Sequence, residues 1–247
     1  FKGDVTVDGL KLPLAQDQGG TPADFKDLTA RGRLKILNLD LYDIPVEEAQ
    51  ADVSLAGGVA TLSGITMKGQ TVSATGSLTT DSSGIRSFDT EFSLKNVNIT
   101  RFLERLTSEE NWIRGNMDLE GKLSGSRESV NGTVRMDARN GRLKRYVIIS
   151  RVFAVLNVYK IVRSMDLELT SKNFPYNRIS ATFNFKDSLV SFNDMYFDSN
   201  SLQFSAVGSY SLKTGEIDAV MGVQPFETID KAIHMIPLIG WILTGDR

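Results

Sequence analysis

The side chains that most often perform catalysis are scarce in this sequence. Its 247 residues include one histidine, His234, and no cysteine. Imidazole metal sites use several histidines, and thiolate zinc sites and cysteine nucleophiles need cysteine, so all three are excluded. His234 stands among apolar residues without a nameable partner for proton transfer, which is typical of a structural histidine.

The other candidate groups lack the spacing that their chemistry requires. Ser124 stands near two glycines, but the Gly-x-Ser-x-Gly nucleophile elbow is absent. The sequence also contains no Gly-rich phosphate-binding loop and no His-Glu-x-x-His motif. Adjacent acidic residues such as Glu47 and Glu48 are typical of solvated loops rather than of a general acid and base. The sequence therefore predicts no enzyme, no cofactor and no metal site.

The composition is that of an ordinary globular chain. Hydrophobic residues make up 41% of it and charged residues 23%, which argues against disorder. A net charge of −2 offers no overall attraction to nucleic acid. The most apolar run, residues 232–243, is shorter than the roughly 20 residues of a membrane-spanning helix.

Alternating apolar and polar residues predict strands with one apolar face. Phe183 and Phe185, for example, alternate with Thr182 and Asn184. Turn-forming residues separate such runs; they are Gly57-Gly58, Lys68-Gly69, Asp81 to Gly84, Asn131-Gly132, Asn140-Gly141 and Lys213 to Gly215. The predicted fold is mainly β, a curled antiparallel sheet forming a trough of repeated meanders with a few helices as caps. A closed β-sandwich is the alternative.

One pattern of strands occurs twice. Residues 51–85 and residues 181–217 share the same order of apolar runs and turns if a two-residue insertion matches Gly76 to Gly208. This weak repeat predicts a sheet that grows by duplicated meanders.

Three helices are expected beside the strands. Helical spacing after the first copy predicts a short helix; its apolar residues are Ile99, Phe102, Leu103 and Leu106. A second short helix is predicted over residues 226–236. The longest one is predicted over residues 142–163, which carry six basic residues and no acidic one, with a strand as the alternative over residues 146–149.

The expected division of the chain follows from these elements. Residues 1–110 form an N-terminal β repeat region that ends in a short helix. Residues 111–247 form a C-terminal β meander that contains the long basic helix and the C-terminal helix.

Several stretches of the C-terminal half match a known family in order; they are residues 130–134, 138–143, 149–153, 156–158, 176–179, 223–226, 236–240 and 243–245. On these stretches the chain resembles the AsmA-like C-terminal region of the bacterial AsmA, YhdP and TamB-type envelope proteins. The N-terminal half is similar to the repeat region that precedes it in that family. One departure is Lys186-Asp187-Ser188, where a turn glycine would be usual.

The resemblance implies a periplasmic protein of a Gram-negative bacterium, anchored in the inner membrane by an N-terminal helix that is not in this sequence. It implies a β-sheet groove that binds phospholipid and conducts it between the inner and outer membranes, supporting outer-membrane lipid homeostasis. The expected partners are phospholipid and envelope membranes or envelope proteins, without nucleic acid, and the oligomeric state stays open. A protein-interaction scaffold in outer-membrane assembly is the alternative function.

The apolar side chains of the alternating strands are the candidates for lining such a groove; they are Val53, Leu55, Val59, Phe183, Phe185, Leu189, Phe192, Phe197 and Phe204. Basic residues of the predicted long helix are the candidates for contacts with lipid head groups; they are Arg142, Lys144, Arg145 and Arg151. Alternatively, that helix covers one end of the sheet and leaves its charges in water.

Overall fold

A computed structural model describes residues 3–8, 11–12, 29–41, 43–106, 113–143, 174–200, 202–225 and 234–238. The strands in these ranges are β1 (Val5–Asp8), β2 (Lys11–Leu12), β3 (Ala30–Leu41), β4 (Ile44–Ala56), β5 (Val59–Lys68), β6 (Val72–Asp81), β7 (Gly84–Asn98), β8 (Ile113–Gly125), β9 (Val130–Leu143), β10 (Phe174–Lys186), β11 (Leu189–Asp198), β12 (Leu202–Ser211), β13 (Ile217–Pro225) and β14 (His234–Leu238). The helix in these ranges is α1 (Ile99–Leu106).

The strands are hydrogen-bonded in the order β1-β3-β4-β5-β6-β7-β8-β9-β10-β11-β12-β13-β14, and β2 pairs with β3. From β3 to β7 and from β10 to β14 each strand is antiparallel to the next, whereas β1 and β2 are parallel to β3. The coarser part of the predicted fold, a mainly β chain of antiparallel meanders, is therefore confirmed.

The chain divides into two compact units. The first consists of Phe1–Val97 with Leu119–Gly132, and the second of Asn98–Asp118 with Thr133–Arg247. The predicted boundary after residue 110 lies outside the described residues.

Strands β4, β5 and β6 form the first meander, in the first unit. Alanine, valine and leucine alternate with polar residues along β4, so that the strand has one apolar side. The turn to β5 consists of Gly57 and Gly58, both with positive φ, which is the geometry that a two-residue hairpin favours.

Strands β10, β11 and β12 form the second meander, in the second unit. Its first turn lies between Lys186 and Leu189 and places Asp187 at a φ of +55°. The aspartate thus takes the left-handed conformation of a turn glycine, which aspartate tolerates better than most residues. The missing glycine therefore leaves the hairpin intact.

The first two strands of each meander pair in the same register. Val53 faces Leu62 in the first meander, and 130 residues further along each strand Phe183 faces Phe192 in the second. Every residue pair that β10 forms with β11 has its counterpart between β4 and β5 at the same offset.

The second and third strands match in the same way. Met67 faces Ala74 between β5 and β6, and Phe197 faces Phe204 between β11 and β12. Gly76, which faces Ile65, corresponds to Ala206 and not to Gly208. The predicted two-residue insertion before the third strand is therefore wrong.

The two units differ in length after the third strand of the meander, where the connection to the next strand is longer in the second unit than in the first. The last strand-to-strand pair before the turn is Asp81 with Gly84 in the first unit, whereas Tyr210 with Ile217 closes the ladder in the second. Strand periodicity alone does not place such an insertion, because a shift of two residues preserves the side to which each side chain points.

A β-bulge interrupts both meanders at the corresponding position. In β5 it contains Gly64, whose φ is +58°. In β11 it contains Asp194, whose carboxylate accepts hydrogen bonds of 2.6 Å from the amide and from the hydroxyl of Thr182. These bonds lower the pKa of Asp194 although its burial acts in the opposite direction.

The short helix predicted after the first copy is confirmed as α1. Asn98 precedes the helix, and its side-chain oxygen accepts a hydrogen bond of 3.1 Å from the amide of Arg101. This bond satisfies one of the amides that a helix N-terminus leaves without an intrahelical partner.

The other two predicted helices differ from the structure where it describes them. Arg142 and Leu143 belong to β9, and the remainder of the long basic helix lies outside the described residues. The end of the predicted C-terminal helix lies in β14, which begins at His234 and pairs with β13. Pairing with a neighbouring strand thus overrides the helical spacing of these few residues.

Two predicted turns are also wrong. Asn131-Gly132 and Asn140-Gly141 lie inside β9. A Cβ atom on Gly141 would lie 2.1 Å from the carbonyl oxygen of Arg114, so this glycine allows two backbones to approach closely.

Candidate functional site

The first meander has an apolar side, here called the aliphatic face. Strand alternation and the pairing register place its members on one side of the sheet; they are Ala49, Ala51, Val53, Leu55, Ala60, Leu62, Ile65, Met67, Val72, Ala74, Gly76, Leu78 and Thr80. These residues include no charged side chain.

Most of the aliphatic face is partly exposed. Ala49, Ala51 and Val72 are buried, but Val53 and Leu62 retain intermediate exposure, as do most other members. Because removal of apolar atoms from water is favourable, a partner that covers this face would gain free energy of binding. The face is therefore a candidate binding surface.

Neighbouring strands of the first unit extend the same face. Leu34 and Ile36 of β3 are paired with Ala51 and Ala49, and Phe88 and Phe92 of β7 are paired with residues of β6. All four of these extending side chains are partly exposed.

The opposite side of the first meander is polar. Arg33 Nε lies 3.4 Å from Asp52 Oδ1, and Lys35 Nζ lies 2.6 Å from Glu48 Oε2. The hydrogen bond from Lys35 holds the pKa of Glu48 below its usual value. These exposed pairs contribute little stability each, but they keep this side in water and leave the aliphatic face as the apolar one.

The second meander has a corresponding apolar side, here called the aromatic face; its members are Ile179, Ala181, Phe183, Phe185, Val190, Phe192, Met195, Phe197, Phe204, Ala206, Gly208 and Tyr210. Its phenylalanines contact one another in pairs. Phe183 and Phe192 meet edge to face with centroids 6.4 Å apart, and Phe197 stacks on Phe204 at 4.6 Å.

The aromatic face is more completely buried than the aliphatic one. Phe192 is 8% exposed and Phe197 is 2% exposed, and the ring of Phe197 also contacts the ring of Tyr176. Phe192, Ala206, Ala219 and Met221 form one core cluster with Phe183 and Phe204 packed against it.

The structure brings together seven of the nine predicted lining residues in two groups. Val53 and Leu55 belong to the aliphatic face. The five predicted phenylalanines belong to the aromatic face; they are Phe183, Phe185, Phe192, Phe197 and Phe204.

Val59 and Leu189 point to the other side of their meanders. Each is the first residue of its strand and pairs with the residue before a two-residue turn, Ala56 or Lys186. A spacing of three residues to Leu62 and to Phe192 already places them on the opposite side. Leu189 is 46% exposed there.

The sequence did not single out several members of the aliphatic face; they are Leu62, Ile65, Met67, Ala74 and Leu78. The bulge at Gly64 changes the alternation between Leu62 and Ile65, so that a strict period of two assigns these residues to different sides. The glycine itself was the available signal, because an isolated glycine within a strand indicates a bulge.

Of the predicted head-group residues, the structure describes only Arg142. Its side chain is exposed near the end of β9. Lys144, Arg145 and Arg151 lie outside the described residues.

An ionic cluster of the second unit surrounds Asp137. Its carboxylate accepts a 2.7 Å hydrogen bond from Arg139 Nε and a 3.0 Å hydrogen bond from Arg178 Nε. Both bonds lower the pKa of Asp137. A carboxylate held ionised in this way is a poor general acid near neutral pH, so the cluster fits a structural ion pair.

Among the residues that the structure describes, no three acidic or histidine side chains are grouped as a metal site would require. Nor does any helix in the described ranges have the length and apolar character to cross a membrane.

Comparison with known proteins adds no relative. No family model matches the chain, and neither a curated protein nor a solved structure matches it.

Proposed function

We propose that this chain is a groove module that binds phospholipid through its apolar sheet face and conducts it between the inner and outer membranes of a Gram-negative bacterium. The observation that carries the proposal is the aliphatic face, which is uncharged, partly exposed and backed by a polar side. Such a face needs an apolar occupant, and the acyl chains of phospholipid supply one.

The energetics suit a ligand that moves. Burial of each methylene group contributes about 0.8 kcal/mol, so an acyl chain gains affinity along its length without a specific polar contact. Ten residues of β5 extend over roughly 33 Å, longer than an acyl chain. A chain held this way has many positions of similar energy, which favours passage over tight binding at one point.

The repeated register supports the modular part of the proposal. Two meanders with the same pairing register and the same bulge position are what duplication of one unit produces. In the AsmA-like proteins that the sequence resembles, a groove built from such repeats lies in the periplasm and is anchored in the inner membrane. A curled sheet with helical caps belongs to the same proposal.

The test compares two charged pairs on opposite sides of the same strands. Val53→Glu with Leu62→Lys places a cross-strand ion pair on the aliphatic face. Ser54→Glu with Thr61→Lys places the same pair one residue away on the polar side. The full chain is incubated with phosphatidylglycerol and phosphatidylethanolamine vesicles, separated from them, and examined by native mass spectrometry.

We expect bound phospholipid on the parent chain and on the Ser54/Thr61 variant, and its loss from the Val53/Leu62 variant. Circular dichroism and thermal unfolding check that both variants fold. Equal lipid on both folded variants, or none on the parent, would overturn the proposal.

A protein-interaction scaffold is the second candidate, and exposed apolar residues outside the aromatic face favour it. Val207 and Val220 face each other across β12 and β13, on the side opposite to the aromatic face, and are 48% and 38% exposed. Replacement of both by threonine preserves strand propensity. Loss of a stoichiometric complex with an envelope protein in that variant, without change in bound lipid, would support the scaffold.

A further inference from the structure

The two meanders have the same backbone pairing but different side chains at the centre of their apolar faces. Val53 and Leu62 of the first meander correspond to Phe183 and Phe192 of the second. The residue type is thus changed on both strands at once, from two aliphatic side chains to two aromatic ones.

The same exchange occurs at a second cross-strand pair, which joins the second and third strands of each meander. Met67 and Ala74 of the first meander correspond to Phe197 and Phe204 of the second. The two rings stack with their planes 5° from parallel. Each aromatic pair therefore fills its own cross-strand position with two rings in contact.

The exchange changes the exposure of one residue in each pair. Leu62 and Met67 are partly exposed, whereas their counterparts Phe192 and Phe197 are buried. A ligand gains free energy only from apolar surface that it removes from water. The rings of Phe192 and Phe197 have little such surface left, whereas Phe183 and Phe204 keep partial exposure.

One further difference lies opposite Phe192. Phe192 faces Gly208 across β11 and β12, whereas its counterpart Leu62 faces Leu78. A Cβ atom on Gly208 would lie 2.6 Å from the Cβ of Ala219, so this glycine allows a close approach of β13. Ala219 of β13 belongs to the same core cluster as Phe192.

We infer that acyl chains are held by the first meander and not by the second, and that the paired phenylalanines of the second meander occupy the place that an acyl chain takes in the first. The pairs Met67–Ala74 and Phe197–Phe204 are then the residues that decide which meander binds lipid. This inference rests on the proposed function, since it locates the same ligand within the chain.

The experiment exchanges these pairs in the full chain. Met67→Phe with Ala74→Phe brings the aromatic pair into the first meander, and Phe197→Met with Phe204→Ala brings the aliphatic pair into the second. Thr66→Phe with Thr75→Phe adds the same bulk to a paired position on the polar side and is the control. The probe is phosphatidylglycerol with a diazirine in one acyl chain, and the crosslinked peptides are identified by mass spectrometry.

In the parent chain and in the Thr66/Thr75 control we expect crosslinks within residues 44–81 and few within residues 174–211. The Met67/Ala74 exchange should reduce the crosslinks in the first meander by about tenfold, equivalent to lost contact with roughly two methylene groups. The Phe197/Phe204 exchange should add crosslinks in the second meander.

Crosslinks mainly within residues 174–211 of the parent, or an unchanged yield after the Met67/Ala74 exchange, would overturn this inference and leave lipid binding intact. No crosslink in any part of the parent chain would instead overturn the proposed function. If the Phe197/Phe204 variant fails to fold, the Met67/Ala74 variant still decides, because it adds atoms to a partly exposed surface and removes none from the core.

Discussion

Phe197 and Phe204 face each other across β11 and β12 with their ring centroids 4.6 Å apart and their planes 5° from parallel. Phe197 also contacts the rings of Phe174 and Tyr176, each with centroids 6.2 Å away. One buried ring therefore joins strands β10, β11 and β12 of the second unit.

Replacement of Phe197 by alanine should lower the free energy of unfolding by about 3–5 kcal/mol, because it removes a ring that is 2% exposed and leaves a cavity among three others. Phe204→Ala should cost less, since Phe204 keeps partial exposure. A double-mutant cycle in urea should give a coupling of about 0.5–1.5 kcal/mol for the stacked pair.

Val207→Ala is the control, because Val207 lies on the other side of β12 with 48% of its surface exposed. It should change the free energy of unfolding by about 0.5 kcal/mol or less. A Phe197→Ala variant as stable as this control would show that the aromatic pairs are not part of the core.

The contribution of the turn from β6 to β7 to the stability of the fold should decrease at acid pH. Asp81 accepts hydrogen bonds from the hydroxyl and the amide of Ser83, at 2.6 and 2.7 Å, and pairs with Arg86. These contacts lower the pKa of Asp81 to about 2. Because an unfolded aspartate has a pKa of about 3.9, this stabilisation is fully present above that pH and is lost as the pH falls through about 2.

Carboxyl chemical shifts measured by NMR across this range report the pKa directly. The part of the stability that the parent loses in acid through protonation of Asp81 should be absent from Asp81→Asn. Asp89→Asn, on the exposed side of β7, should lose stability in acid as the parent does. A carboxyl group at position 81 that titrates at its ordinary pKa would contradict the contribution of these hydrogen bonds.

Much of the architecture follows from patterns that the sequence shows openly. Alternation predicts the antiparallel strands, helical spacing predicts α1, and the paired glycines predict the turn at Gly57 and Gly58. The shared face of Phe183 and Phe185 follows from the same period of two. Phe192 and Phe197 lie on one side only because the bulge between them shifts the alternation.

The remainder depends on contacts that a single strand does not reveal. Asn140-Gly141 has the composition of a turn, but its glycine serves a close approach of β9 to Arg114. The bulge at Gly64 moves Ile65 onto the side of Leu62, which strict alternation forbids. The difference between the two apolar faces becomes visible only when the register pairs each residue with its counterpart.

The stability of the bulge in β5 should depend on the glycine at position 64. Gly64 has a φ of +58°, and a side chain there costs about 1–2 kcal/mol through the contact of Cβ with the backbone. Gly64→Ala should therefore destabilise the chain by about that amount in urea. Gly222→Ala is the matched control, because a Cβ at Gly222 would meet only Ser205 Oγ at 3.7 Å, an ordinary contact. Equal stability of the two variants would contradict the conformational role of Gly64.

The last prediction concerns Tyr176, whose hydroxyl donates a 2.9 Å hydrogen bond to the carbonyl oxygen of Arg114 and whose ring lies over Gly141. Burial raises the pKa of Tyr176 to about 12. Tyr176→Phe should keep the ring in place and cost about 0.5–1.5 kcal/mol through the lost hydrogen bond. Tyr176→Ala should cost about 3–5 kcal/mol, because it also empties the space over the glycine.

The dependence of stability on alkaline pH tests the burial of the Tyr176 hydroxyl separately from the packing of its ring. An unfolded tyrosine has a pKa of about 10, so the neutral phenol of Tyr176 stabilises the fold fully below that pH, and this contribution is lost as the pH rises through about 12. Ultraviolet absorbance of phenolate should show a late ionisation in the parent chain that is missing from Tyr176→Phe. If every tyrosine of the parent ionised near 10, the burial of the Tyr176 hydroxyl would be refuted, whatever the stability of the two variants.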